Sequence, residues 1–202
     1  MINESKNLFT GKRIGILASY NGSGFETIQK AIDEKILDAK VVVVISNNTN
    51  AGVLQKAESY DIPNFIINDK RYPNQDMDDK ITRLLIDFQC DYIFLSGFMK
   101  KIESKLLNAF PNRIINTHPA LLPSIYGGVG MYGRFVHEAV IKNAESKSGV
   151  TIHYVNEIYD EGEIILKKEL EIACDETADS LENKIKELEK VAIVEAFKKL
   201  LA

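Results

Sequence analysis

Short runs of β-branched and apolar residues alternate along the chain with stretches in which apolar residues recur every three or four positions. Ile14–Ala18, Lys40–Ser46, Asn64–Ile67, Asp91–Ser96 and Arg113–Asn116 read as strands. Between them, Phe25–Glu34, Gly52–Ser59 and Met77–Phe88 read as helices, the last with Ile81, Leu84, Leu85 and Phe88 on one face. Four consecutive valines, Val41 to Val44, predict a strand buried on both faces. Strands alternating with helices predict βαβ units, so the expected fold is α/β: a Rossmann-like, mostly parallel sheet flanked by helices. The pattern changes after His118. Residues 119–133 hold two prolines and four glycines and read as a long loop, a length usually tied to function. Phe135–Lys142 is an expected helix. Val150–Asn156 and Glu163–Glu171 are expected to form a late antiparallel hairpin around a turn at Asp160–Gly162. A closing helix from about Asp179 to Leu201 carries Leu181, Ile185, Leu188, Ile193 and Phe197 near a helical period. Its charge-rich segment Glu182–Lys190 reads as a solvated face.

The 202 residues suggest one domain, expected to span 1–202 with its first strand beginning near Arg13. At 45% hydrophobic and 27% charged, the chain has too much apolar content to remain disordered. Lys and Arg number 25 against 29 Asp and Glu, a net charge of −4, which argues against general nucleic-acid binding. The longest apolar runs, such as Val41–Ile45 and Tyr92–Leu95, fall far short of the ~20 residues that cross a bilayer. Met1–Thr10 is polar and lacks the apolar stretch of a signal peptide, so a cytoplasmic location is expected. Cys90 and Cys174 lie far apart and form no metal-type pair, and no histidines have metal-ligand spacing, so no metal is expected.

Two segments carry candidate chemistry. The first strand runs into Ser19-Tyr20-Asn21-Gly22-Ser23-Gly24 before a helix. Free backbone N–H groups and the positive end of a helix dipole make such a turn an anion site, and Asn21 and Ser23 add polar side chains. It matches neither the P-loop nor the dinucleotide glycine pattern, and it serves equally as a plain helix start. Lys70 and Arg71 read as solvated surface. Asn116-Thr117-His118-Pro119-Ala120-Leu121-Leu122-Pro123 directly follows an apolar strand, where ligands bind in open α/β sheets. Asn116 and His118 are two apart, so an extended strand end aims both at one cleft. An amide that donates to a developing oxyanion and a histidine that moves a proton suit acyl-type chemistry. Asp160 is the candidate carboxylate, expected to favour the protonated His118 and raise its pKa, although aspartate before Gly162 is also common in plain turns. His137 reads as a surface or capping residue, and His153 as a buttress of the site or a satisfied strand histidine.

At these residues the chain resembles the phosphoribosylglycinamide formyltransferase family, folate-dependent enzymes of purine synthesis. The resemblance runs in order over nearly the whole chain. It includes Asn21-Gly22-Ser23-Gly24 (family Asn-Gly-Ser-Asn), Ser96-Gly97-Phe98-Met99, the Asn-x-His-Pro-x-Leu-Leu-Pro signature at 116–123, Gly130–Gly133 with Val136–Val140, and Ser148–Val155 with Asp160-Glu161-Gly162. It implies formyl transfer from the co-substrate 10-formyltetrahydrofolate to the amine of N1-(5-phosphoribosyl)glycinamide. Asn116, His118 and Asp160 would be catalytic. Asn21, Gly22, Ser23, Gly24 and Glu189 would bind the ribonucleotide, and Met99, Lys100, Lys101, Ile102 and Asn116 the folate. Glu189 reads equally as a solvated helix carboxylate. Departures are Gly24 for asparagine, Lys100-Lys101 for arginine and an apolar residue, and Lys190 for histidine. The alternatives are a formyltetrahydrofolate hydrolase-like enzyme, which usually carries an N-terminal regulatory domain, a methionyl-tRNA formyltransferase, with a C-terminal β-domain, and a non-catalytic nucleotide-binding module. The short chain and its charge favour the purine enzyme, with small-molecule substrates, no nucleic-acid or membrane partner, and a monomeric or homodimeric state.

Overall fold

Lys12–Ala18 (β1) founds the sheet in the computed structural model, which describes residues 10–202. The polar N-terminal stretch discussed above lies, apart from Thr10, outside the described residues. Helix α1 (Ser23–Asp33), β2 (Ala39–Ser46), α2 (Gly52–Ser59), β3 (Asn64–Ile66), α3 (Met77–Asp87) and β4 (Tyr92–Leu95) follow in turn. Then come α4 (Ser104–Ala109), β5 (Ile114–His118), α5 (Arg134–Lys142), β6 (Lys147–Tyr154), β7 (Ile164–Glu171) and α6 (Ala178–Leu201). The strands form one seven-stranded sheet in the order β3-β2-β1-β4-β5-β6-β7. β1 to β5 pair in parallel, whereas β5–β6 and β6–β7 are antiparallel. The expected Rossmann-like sheet and late hairpin are therefore both present.

The valine run behaves as its composition requires. Val41 and Val44 enter the apolar layer under α1, α2, α5 and α6, while Val42, Val43 and Ile45 enter the layer under α3 and α4. Burial on both faces is what a central parallel strand between two helical layers needs. In α6, Leu181, Ile185, Ile193 and Phe197 are buried, and Phe197 meets Phe94 of β4 edge-on at 5.4 Å. Asp76 caps α3 by accepting from the Asp79 N–H, and Thr177 closes a capping box with Ser180 at the start of α6.

Two differences from the sequence pattern matter. Helix α4 is not visible there, because six residues give too little periodicity. β5 runs to His118 rather than stopping at Asn116, so the chemistry-bearing residues sit within the strand.

Candidate active site

β1 and β4 are sheet neighbours whose chains then leave in opposite directions, β1 toward β2 and β4 toward β5. A crevice opens at the carboxyl ends of strands where the order reverses in this way. Here it is a cleft of about 770 Å³. That volume lies within the ~300–1,000 Å³ range of small-molecule sites.

The glycine turn forms one end. Gly22 caps α1 in the left-handed region, φ 60°, and no side chain caps the helix start. A Cβ on Gly22 would lie 2.4 Å from Val53 Cγ2. Asn21, Gly22, Ser23 and Gly24 line the cleft, with the positive end of α1 behind them. A Cβ on Gly24 would lie 2.7 Å from Phe94 Cε1 and 3.0 Å from Ser96 Oγ, which itself accepts from the Phe25 N–H at 3.1 Å. The glycine thus lets α1 approach β4 closely. Lys56 Nζ donates to the Asn21 carbonyl at 2.8 Å and pairs with Glu26 at 2.5 Å, leaving a cation beside the turn.

The middle wall follows β4. Ser19, fully buried, accepts from the Met99 N–H at 2.7 Å and donates to Asn47 Oδ1 at 2.6 Å. It ties the glycine turn to the segment after β4. Met99, Lys100, Lys101 and Ile102 line the cleft there, the two lysines exposed and Ile102 buried.

β5 forms the third wall. Asn116 and His118 both face the cleft. Asn116 Nδ2 meets His153 Nε2 at 3.2 Å, and His153 Nδ1 meets the Tyr154 carbonyl at 2.8 Å. A carbonyl only accepts, so His153 carries its proton on Nδ1 and accepts at Nε2 from the Asn116 amide. One amide hydrogen of Asn116 remains for the cleft. His118 Nε2 donates to the Tyr126 carbonyl at 2.6 Å, and its Nδ1 faces Asp160 Oδ2 at 3.4 Å. Asp160 adopts φ 58°, an aspartate-tolerant left-handed turn conformation that aims its carboxylate back at the histidines. Its Oδ2 accepts from the Gly128 N–H at 2.8 Å, and its Oδ1 lies 3.6 Å from His153 Nε2. Thr117 donates to Glu189 Oε1 at 3.0 Å.

The electrostatics assign charge states. Burial would raise the Asp160 pKa, but His153, His118 and the Gly128 N–H outweigh it and hold the carboxyl below its ordinary 3.8. Asp160 is therefore ionised at neutral pH. Burial raises the Glu189 carboxyl above its usual value, against the Thr117 hydrogen bond and the Lys186 charge. His118 is a correction. Asp160 does favour its protonated form, as expected, but desolvation is the larger effect and the net shift is downward from 6.5. Burial thus works against the imidazolium form of His118 while the facing Asp160 carboxylate works for it.

A family model described as formyl transferase matches residues 12–197. The chain belongs to that family. The phosphoribosylglycinamide formyltransferase of Bacillus subtilis is 34% identical over 191 residues, covering 94% of this chain and 95% of that protein. The chloroplastic enzyme of the same name from Arabidopsis thaliana is 34% identical over 176 residues, 86% of this chain. The chain spans only about three fifths of such plant relatives, 60% and 61% of their length. The crystal structure of glycinamide ribonucleotide transformylase 1 from Symbiobacterium toebii superposes with a TM-score of 0.87 at 28% identity, covering 95% of this chain and 88% of that one.

The cleft brings together every site residue singled out in the sequence: Asn21 to Gly24, Met99 to Ile102, Asn116, His118, Asp160 and Glu189. Lys70 and Arg71 are exposed, as expected. The expected surface or capping role of His137 is wrong. It is 2% exposed, its Nδ1 has no partner, and it lines the cleft, because Val136, His137 and Val140 form the inward face of α5. That spacing was the available signal. The charge-rich segment of α6 is only partly a solvated face, since Glu182, Lys186 and Glu189 also line the cleft. Tyr126, inside the glycine-rich loop, carries no sequence signal for its contact with His118. Among the described residues, no group of three or more His, Cys, Asp and Glu side chains is arranged to hold a metal, and no helix is long and apolar enough to cross a membrane.

Proposed function

We propose that this chain, acting as one formyltransferase domain, transfers the formyl group of 10-formyltetrahydrofolate to the amine of N1-(5-phosphoribosyl)glycinamide. The observation that carries the reading is the meeting of Asn116, His118 and ionised Asp160 on one wall, between an anion-suited turn and the 99–102 segment. The amine nitrogen attacks the formyl carbon, and the bond from that carbon to the folate nitrogen breaks. The free Asn116 amide hydrogen stabilises the oxyanion between these events. His118 takes the proton released by the amine, its charge balanced by the Asp160 carboxylate, and passes it to the departing folate nitrogen. The phosphate is held by Asn21, Gly22, Ser23 and Gly24, with Glu189 on the ribonucleotide. Met99, Lys100, Lys101 and Ile102 hold the folate, largely through backbone groups, with Asn116 at its reacting end. The reading implies small-molecule substrates only, a cytoplasmic enzyme, and a monomer or homodimer.

A spectrophotometric assay with both substrates tests it. Turnover should require both, and His118→Ala should lower it by about 10²–10⁴-fold. Loss of formyl to water without the ribonucleotide would instead indicate a hydrolase, and binding without turnover a non-catalytic module.

A further inference from the structure

We propose that Ser19 is a positioning residue whose buried hydroxyl sets the spacing between the anion-suited turn and the 99–102 segment, and so the approach of the reacting amine to the formyl carbon. The inference rests on the transfer reaction above. Ser19 does not touch substrate itself: it is fully buried, and neither it nor Asn47 lines the cleft. It directly follows β1 and precedes Asn21 by two residues. Ser19 commits its N–H, its carbonyl and its hydroxyl, and two backbone groups fix the sense of the ring of hydrogen bonds around it. The Ser19 carbonyl only accepts, so Asn48 turns its Nδ2 to it at 2.6 Å and its Oδ1 toward Asn47 Nδ2 at 3.3 Å. Asn47 therefore offers Oδ1 to the Ser19 hydroxyl, which donates to it at 2.6 Å. The Met99 N–H only donates, and Ser19 Oγ accepts from it at 2.7 Å.

The segment after β4 depends on this ring. The Ser19 N–H donates to the Gly97 carbonyl at 3.1 Å, and Gly97 has φ 69°, a left-handed turn that glycine adopts freely. Met99 is 42% exposed, and Lys100 and Lys101 are exposed, so their side chains hold little. Ile102 is buried and anchors the far end. The Met99 N–H is thus the pin between a pivot at Gly97 and an anchor at Ile102. On the opposite side, Asn68 donates to the Asn47 carbonyl at 2.9 Å, which fastens the ring to the end of β3, and Asn47 and Asn48 directly follow β2. Without the hydroxyl, Ser19 still holds Gly97, but residues 99–101 are free to swing about it. Each half of the cleft survives such a change. What is lost is the distance between them, on which the meeting of amine and formyl carbon depends.

Steady-state kinetics and amide hydrogen exchange test this together. Ser19→Ala should lower kcat about a hundredfold, the cost of a displacement of about 1 Å, with KM for each substrate within about threefold of wild type. Without any substrate, the Met99 amide should be protected in the wild type and exchange about tenfold faster in the variant. Asn47→Ala should move both readouts in the same direction but less, because Ser19 Oγ still faces Met99, and the double variant should be no worse than Ser19→Ala. A serine with a merely structural role would lower Tm and leave kcat and Met99 exchange alone. That result overturns the proposal, as does a loss confined to KM or a wild-type Met99 amide that exchanges freely. Should Ser19→Ala not fold, Asn47→Ala decides, because Asn47 is only half-buried. A wild-type protein inactive with both substrates refutes the transfer reaction and this role together, whereas an active enzyme whose Ser19→Ala variant keeps its kcat refutes the role alone.

Discussion

Gly24 opens the first turn of α1, and the packing beneath it dictates what a side chain there would meet. A Cβ would fall 2.7 Å from Phe94 Cε1 and 3.1 Å from its Cζ, well inside contact distance. Phe94 cannot swing aside: it is fully buried and held edge-on by Phe197 at 5.4 Å. Overpacking of this kind costs about 1–3 kcal/mol. Against it stands the gain from replacing a helical glycine by alanine, at most about 1 kcal/mol and less in a first turn. The clash should win, leaving Gly24→Ala destabilised by about 1–2 kcal/mol. For a chain of this size that lowers Tm by about 2–8 °C. Scanning calorimetry of the wild type, Gly24→Ala, Phe94→Leu and the double variant isolates the cause. Leucine lacks the ring-edge atoms, so the alanine penalty should shrink by at least half in the Phe94→Leu background. A Gly24→Ala protein that melts at or above the wild-type temperature would falsify the idea that the ring dictates the glycine.

Asp160→Asn removes the charge that opposes burial at His118, so the His118 pKa should fall further. The acid limb of kcat/KM then moves to lower pH, and the rate at neutral pH drops about a hundredfold or more; a limb that stays or moves upward sinks this assignment. Glu189→Gln should raise KM for the ribonucleotide about tenfold and spare KM for the folate, whereas equal changes in both would remove Glu189 from the ribonucleotide end. Burial lowers both His118 and His137 from 6.5 in the folded chain. The unfolded chain therefore takes up protons first, and stability should decline as pH falls below 6.5. Thermal melts of His137→Leu should show a shallower decline than wild type over that range, and parallel Tm–pH curves would count against a buried, neutral His137.

Period and composition carry the architecture because most strands and helices are long enough to show their own repeat. The valine run of β2 and the apolar stripe of α6 are the clearest cases. Helix α4, Ser104–Ala109, offers one and a half turns and no repeat to detect. The site divides in the same way. Asn116 and His118 were legible because a strand fixes where alternate side chains point. Asp160 lies 42 positions after His118, and only the folded-back β6–β7 connection joins them. The net charge preference of His118 was not legible: an adjacent carboxylate can be guessed from sequence, but the depth of burial that outweighs it cannot. His137 shows the reverse failure, since helical spacing from Val136 and Val140 already pointed it inward.

β5 is the one strand of the sheet with a parallel neighbour on one edge and an antiparallel neighbour on the other. It is also where the two chemistries of the chain's order meet. The segments up to β5 supply the anion turn, Asn116 and His118, whereas the buttress His153 and the carboxylate of Asp160 arrive only with the hairpin. A ribosome-bound chain that has paired β1 to β5 can thus shape half a pocket, yet the carboxylate that faces the proton-handling His118 waits for the hairpin to dock. Turnover per molecule consequently reports completed topology: a preparation trapped with an undocked hairpin would be silent, however well its first five strands had formed.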